Sequence, residues 1–126
     1  MKRTINADGN AEPLGPYSHG ATDGNLVFTA GQIPVTPDGD VLSEEPIGVQ
    51  TQQSLENIER ILDEADAGMD DVLKTTVYLT DVGDFEEMNA VYRDFFDGDP
   101  PARTALEVAR IADDADIEIE VVAAVP

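Results

Sequence analysis

The sequence predicts an α+β fold, a two-layer sandwich in which two helices cover one face of a mixed β-sheet. Three observations predict it. Leu55, Ile58, Ile61, Leu62 and Ala65 form one apolar stripe at helical spacing, and Phe85, Met88, Val91, Tyr92 and Phe95 form another. Residues 72–80 and 117–125 alternate apolar and polar side chains, the period-two pattern of a half-buried strand. The order strands, helix, strand, helix, strands packs most simply with both helices on one side of one sheet.

Taken along the chain, residues near Lys2 to Asn6 suit a short strand. Asp8-Gly9-Asn10 and Pro13-Leu14-Gly15-Pro16 then punctuate a loop leading to Tyr17-Ser18-His19-Gly20. Asp23-Gly24 reads as a hairpin turn before the strand Leu26 to Ala30, which Gly31-Gln32-Ile33-Pro34 ends. Pro37-Asp38-Gly39-Asp40 is a surface turn. The first helix is expected from about Glu45 or Pro46 to Ala67, with proline in its first turn and Gly68 as its stop. Its outer face carries Glu56, Glu59, Arg60 and Asp63. Val72 to Thr80 is the next strand, with Leu73, Thr75, Val77 and Leu79 on one face. The second helix begins at Asp84, with Glu87 three residues on in a capping-box pattern, and stops at Gly98 before Pro100-Pro101. Two strands finish the chain.

The 126 residues make one domain, 1–126, long enough to bury a core. The 41% hydrophobic content argues against disorder. No apolar run approaches a membrane span, and Met1-Lys2-Arg3 leads into polar sequence, so the expected location is the cytoplasm. Cysteine is absent, which removes disulfides, thiolate nucleophiles and thiolate metal sites. The net charge of −20 comes from 27 acidic residues against 7 basic ones. Spread over turns and helix faces, such a coat suits a salt-adapted protein, because counterions screen its self-repulsion. Too few cations remain to neutralise nucleic-acid phosphates.

The chemistry concentrates in Pro100 to Arg110 and Ile117 to Glu120. These set Arg103 and Glu118 on two strands expected to be neighbours. In the last strand Ile117, Ile119, Val121, Ala123 and Val125 form a purely apolar face, opposite Glu118, Glu120, Val122 and Ala124. A guanidinium fork suits a planar carboxylate, and a nearby glutamate can hold and polarise water. Together they point to a small anionic substrate attacked by water. The second sheet face, a mixture of Thr, Ala, Val and Glu, has nothing within the chain to cover it. Self-association would cover it and build pockets between copies.

The chain resembles the RidA (YjgF) family over essentially its whole length. The resemblance is carried by Gly15-Pro16-Tyr17-Ser18, Thr29-Ala30-Gly31-Gln32-Ile33-Pro34, Gln53-Ser54-Leu55-Glu56-Asn57-Ile58, Lys74-Thr75-Thr76-Val77-Tyr78-Leu79, Met88-Asn89-Ala90-Val91-Tyr92, and the segments Pro101 to Arg110 and Ile117 to Glu120. It implies a chorismate-mutase-like fold assembled as a homotrimer with clefts between subunits. It also implies hydrolysis of 2-imino acids such as 2-iminobutanoate and 2-iminopropanoate to 2-oxo acids and ammonia, without metal or organic cofactor. Arg103 would clamp the substrate carboxylate and Glu118 would hold the hydrolytic water. Tyr17 and the Gly31 backbone would line the cleft, with Asn89 in support. Many members carry Cys where this chain has Ala105 and Ser where it has Ala30. The first change removes a reactive thiol but neither the clamp nor the water holder; the second deletes a hydroxyl that bears on substrate preference.

Plainer roles compete for these residues. Arg103 and Glu118 could be solvated strand residues, Tyr17 a packed loop ring, and Asn89 a backbone partner on its helix. His19, the sole histidine, reads as a turn residue rather than an acid or base, and Glu120 as structural. The Phe85, Met88 and Phe95 stripe reads as core, and no metal-ligand spacing or phosphate loop is present. Two other functions stand beside the deaminase: a non-catalytic module that binds 2-oxo acids or similar carboxylates, and a ribonuclease or translation inhibitor, which the charge disfavours.

Overall fold

The computed structural model describes residues 1–126. Six strands form one sheet: β1 (Arg3–Ile5), β2 (Gly20–Thr22), β3 (Leu26–Thr29), β4 (Val72–Leu79), β5 (Ala102–Glu107) and β6 (Ile117–Ala124). Their order across the sheet is β1-β2-β3-β6-β4-β5. Only β4 and β5 run parallel, and the helix between them makes the crossover that a parallel pair requires. Helices α1 (Ile47–Asp63) and α2 (Phe85–Arg93) pack on one face, as expected.

Burial explains the layering. On β6, Ile117, Ile119, Val121 and Ala123 are buried and the alternate residues only partly so. The α1 stripe of Leu55, Ile58, Ile61 and Leu62 is fully buried against that face. Each such side chain contributes on the order of 1.5–3 kcal/mol through lost apolar exposure. Along β4 the expected alternation breaks at one point. A bulge between Val72 and Lys74 leaves Val72 buried and Leu73 about half exposed, while Thr75, Val77 and Leu79 keep to the helix side.

Several element ends differ from the sequence expectation. Pro46 stands just before α1 rather than within it, and the helix stops short of Ala67. Asp66 ends it by turning left-handed at φ 58°, and the Ala67 amide bonds back to the Leu62 carbonyl at 2.9 Å, so Gly68 has no stopping role. At α2 the expected capping box is absent. Asp84 makes no side-chain cap bond, and Asp81 instead accepts from the Gly83 amide at 2.8 Å. Glu87 reaches across to the first turn of α1, accepting from the Gly48 amide at 2.9 Å, which fits a carboxylate to the positive end of that helix. The helix itself ends at Arg93.

The largest correction concerns register. Arg103 and Glu118 do not lie on neighbouring strands, because β4 runs between β5 and β6. Thr75 pairs with both Arg103 and Val121, which places Arg103 on the helix face. Tyr78 pairs with both Glu118 and Leu106, which places Glu118 on the open face. Within one chain the two side chains therefore lie on opposite sides of the sheet.

Candidate active site

The helix-face residues of α2 hold Arg103. Phe85, Asn89 and Tyr92 recur at i, i+4 and i+7, so they share one side of the helix. The Arg103 guanidinium donates to Asn89 Oδ1 at 2.7 Å and lies 4.8 Å from the Tyr92 ring centre and 5.2 Å from that of Phe85. Tyr92 is fixed in turn by a 2.7 Å hydrogen bond between its hydroxyl and Thr75. Burial pushes the Tyr92 hydroxyl pKa up, against the opposing influence of the Thr75 bond and of Arg103. Phe85 is 37% exposed, so it forms one wall of an arginine clamp and not part of the core stripe.

These partners are all neutral. In a chain with 27 carboxylates, Arg103 is oriented by an amide and two rings, which leaves its charge unmatched and its fork free for an anion. It lines a cleft of about 510 Å³ with Asn89, Tyr92, Arg93, Phe96 and Pro101.

Glu118 lines a second cleft, of about 680 Å³, with Tyr17, Ala30, Gly31, Gln32 and Ile33. A two-way backbone bridge between Gln32 and Ile119, at 2.8 and 3.1 Å, presses the segment after β3 onto β6. Gly31 consequently lies directly beneath the Glu118 side chain, and a Cβ there would overlap the carboxylate. Burial first, and the Glu120 carboxylate second, push the Glu118 carboxyl above the usual glutamate range. Glu120 is itself tied down, accepting from the Tyr78 hydroxyl, and that bond pushes the Tyr78 pKa up to about 12. Glu120 is thus the structural neighbour expected and Glu118 the carboxylate facing a cleft.

The loops of this cleft are stapled from beneath. His19 is 4% exposed; its Nδ1 accepts from the Ala7 amide at 3.0 Å and its Nε2 donates to the Ala11 carbonyl at 2.9 Å. With both ring nitrogens used by backbone, it is a loop brace and not a free acid or base. Asn57 on α1 donates to the Val35 and Ile33 carbonyls at 2.9 and 3.3 Å and accepts from Arg60 at 3.2 Å. Sequence reading placed Arg60 in water and gave no structural role to Gln50, Thr51, Ser54 and Asn57, which are buried. Their spacing beside the apolar stripe was the available signal. Tyr17, 48% exposed, packs beside Gly15 and accepts from the Leu14 amide at 3.3 Å, leaving its ring on the cleft wall. Ala105 packs half-buried against the core, and no three His, Asp or Glu side chains converge as metal ligands.

Gly31→Ala is a direct check on this cleft. Glycine's backbone conformation here needs no special freedom, so alanine should fold while swinging Glu118 out of place. If Glu118 serves catalysis, activity should fall about 10²-fold with an unchanged melting profile, because a misplacement of roughly 1 Å costs that much. Full activity in the variant would show that Glu118 is not held for catalysis.

Comparison with known proteins agrees with the motifs that build these clefts. The family model described as Endoribonuclease L-PSP matches residues 9–125. A RutC family protein of Pyrococcus horikoshii is 46% identical, and the 2-iminobutanoate/2-iminopropanoate deaminase of Salmonella typhimurium 40% identical, each over 98% of both chains. The crystal structure of the YjgF gene product of Escherichia coli matches with a TM-score of 0.92 at 40% identity, covering 97% of this chain and 98% of that one. With fold, motifs and relatives in accord from end to end, the chain belongs to the RidA (YjgF) family.

Proposed function

We propose that the chain is a 2-imino acid deaminase, hydrolysing compounds such as 2-iminobutanoate and 2-iminopropanoate to 2-oxo acids and ammonia in the cytoplasm. Its sites form between copies, Arg103 of one facing Tyr17, Gly31 and Glu118 of the next, in a homotrimer. The observation that carries this is the unmatched Arg103 charge on a different face from Glu118. Each protomer holds two complementary half-sites and no complete one.

The open sheet face supports association. Phe28 is 52% exposed and Leu106 39%, and with Val122 and Ala124 they make an apolar surface around Glu118 and Glu120. Covering it would bury that surface and draw water away from the site.

In the reaction, the Arg103 fork holds the substrate carboxylate and so fixes the adjacent imino carbon. Glu118 accepts a proton from water as the water oxygen attacks that carbon. Glu118 then returns that proton to the nitrogen, the C–N bond breaks to release ammonia, and the carbinol hydroxyl gives its own proton back to Glu118 as its oxygen becomes the 2-oxo group. An iminium carbon is already electrophilic, so the reaction calls for no metal or organic cofactor. Relatives named as imine deaminases at 40% identity support this chemistry. The word endoribonuclease in the family description finds less support, because −20 charge and seven cations oppose contact with RNA.

The test is release of ammonia and 2-oxo acid from imines generated in situ by an amino-acid oxidase or dehydratase. Acceleration above the spontaneous rate supports the proposal. Saturable carboxylate binding without acceleration would instead favour the binding-module reading.

A further inference from the structure

Arg103 shares its cleft with a second arginine. Arg93 is one helical turn beyond Asn89, the residue that holds Arg103, and so lies on the same side of α2. None of the eight residues lining this cleft is acidic. The other large clefts are lined very differently. The Glu118 cleft also carries Glu12 and Asp113, that beside Met69 carries Asp70, Asp97 and Asp99, and the N-terminal loop cleft carries Asp8 and Glu12. Two of the chain's seven cations thus line one wall to which their own chain brings no carboxylate, in a protein otherwise coated with acids.

Helix polarity alone would favour a cation at Arg93, the last residue of α2. It would not clear the cleft of carboxylates, nor align Arg93 with the residue that orients the first arginine. Asp97 and Asp99, close in sequence, line the adjacent cleft instead. A space of about 510 Å³ suits a small ligand with an acid group at each end.

We infer that Arg93 receives a second carboxylate, and that the preferred substrates are 2-imino dicarboxylates, which yield 2-oxo dicarboxylates. This rests on Arg103 as the clamp for the first carboxylate. The supplying reaction would be either oxidation of an acidic amino acid, its hydride passing to the supplying enzyme's own redox cofactor, or β-elimination from an acidic amino acid that carries a β-leaving group.

Calorimetry with 2-oxoglutarate and 2-oxopentanoate tests it, since the two share a carbon count and differ by one acid group. Ionic strength is held constant because screening weakens both contacts. The wild type should bind 2-oxoglutarate at least tenfold more tightly than 2-oxopentanoate. Arg93→Gln should bring that ratio to about one, and Arg93→Lys should retain most of it. Equal wild-type affinities, or a ratio that survives in Arg93→Gln, overturns the inference. If 2-oxopentanoate binding is then still lost in Arg103→Ala, the clamp stands and only the second-carboxylate inference falls. Failure of both acids to bind the wild type overturns the clamp as well.

Discussion

Arg103→Ala is expected to lower kcat/KM for 2-imino acid hydrolysis by roughly 30- to 5,000-fold, corresponding to about 2–5 kcal/mol for truncating one partner of a desolvated charge pair. The cause is specific to this site. Arg103 is held by Asn89, Phe85 and Tyr92, so the substrate carboxylate would be its one anionic partner. In the proposed mechanism the carboxylate is gripped before and during water attack, so most of the loss should appear in KM. Arg103→Lys keeps the charge but neither the fork nor the flat stacking on two rings, and should recover only part of the activity. The fold should survive, since the side chain is only partly buried and lies on the edge strand β5. Steady-state kinetics checks both variants, and wild-type KM in Arg103→Ala would contradict the assignment.

Glu118→Gln should show the opposite division. Losing the proton acceptor is expected to reduce kcat by about 10²–10⁴-fold while leaving KM close to wild type. Because burial and Glu120 raise the Glu118 pKa, kcat should climb with pH through a midpoint above the ordinary glutamate value. Glu120→Gln removes one of the two causes and should move that midpoint downward. The same shift fixes the sign for stability. In the pH window between the unfolded and the higher folded pKa, the folded state binds more protons, so stability falls as pH rises through it. Above that window the charged Glu118 opposes folding. Glu118→Gln should therefore melt at a higher temperature than wild type at neutral pH while losing activity, the signature of a functional strain rather than a structural bond. A lower melting temperature with normal kcat would identify Glu118 as structural.

The sheet and its helices were readable from periodicity. The alternation along Ile117 to Ala124 and the stripe Leu55 to Leu62 each answer to a single burial boundary, and both lie where expected. Register was not readable. Nothing local to β5 or β6 says that β4 inserts between them, and that insertion sends Arg103 and Glu118 to opposite faces. Phe85 was misread for a related reason. Helical spacing puts it in line with Met88 and Tyr92, but only position on the sheet shows that the stripe runs past the core and out over Arg103. His19 and Asn57 brace the cleft through backbone groups, and such partners leave no trace in residue spacing.

Mixing the two impaired variants asks most directly whether catalysis joins residues of separate copies. Arg103→Ala and Glu118→Gln chains would be unfolded together at equal amounts, refolded in high salt, and assayed for imine hydrolysis. If each site takes its arginine from one copy and its glutamate from another, random assembly restores about one quarter of wild-type activity, since half the chains supply each intact half-site. Assayed well below the wild-type KM, either variant refolded alone should keep no more than about one thirtieth of wild-type activity. If the mixture is as inactive as its components, although it forms oligomers of about three times the 13.5 kDa chain mass, the two residues do not act together across an interface and the proposed site is wrong.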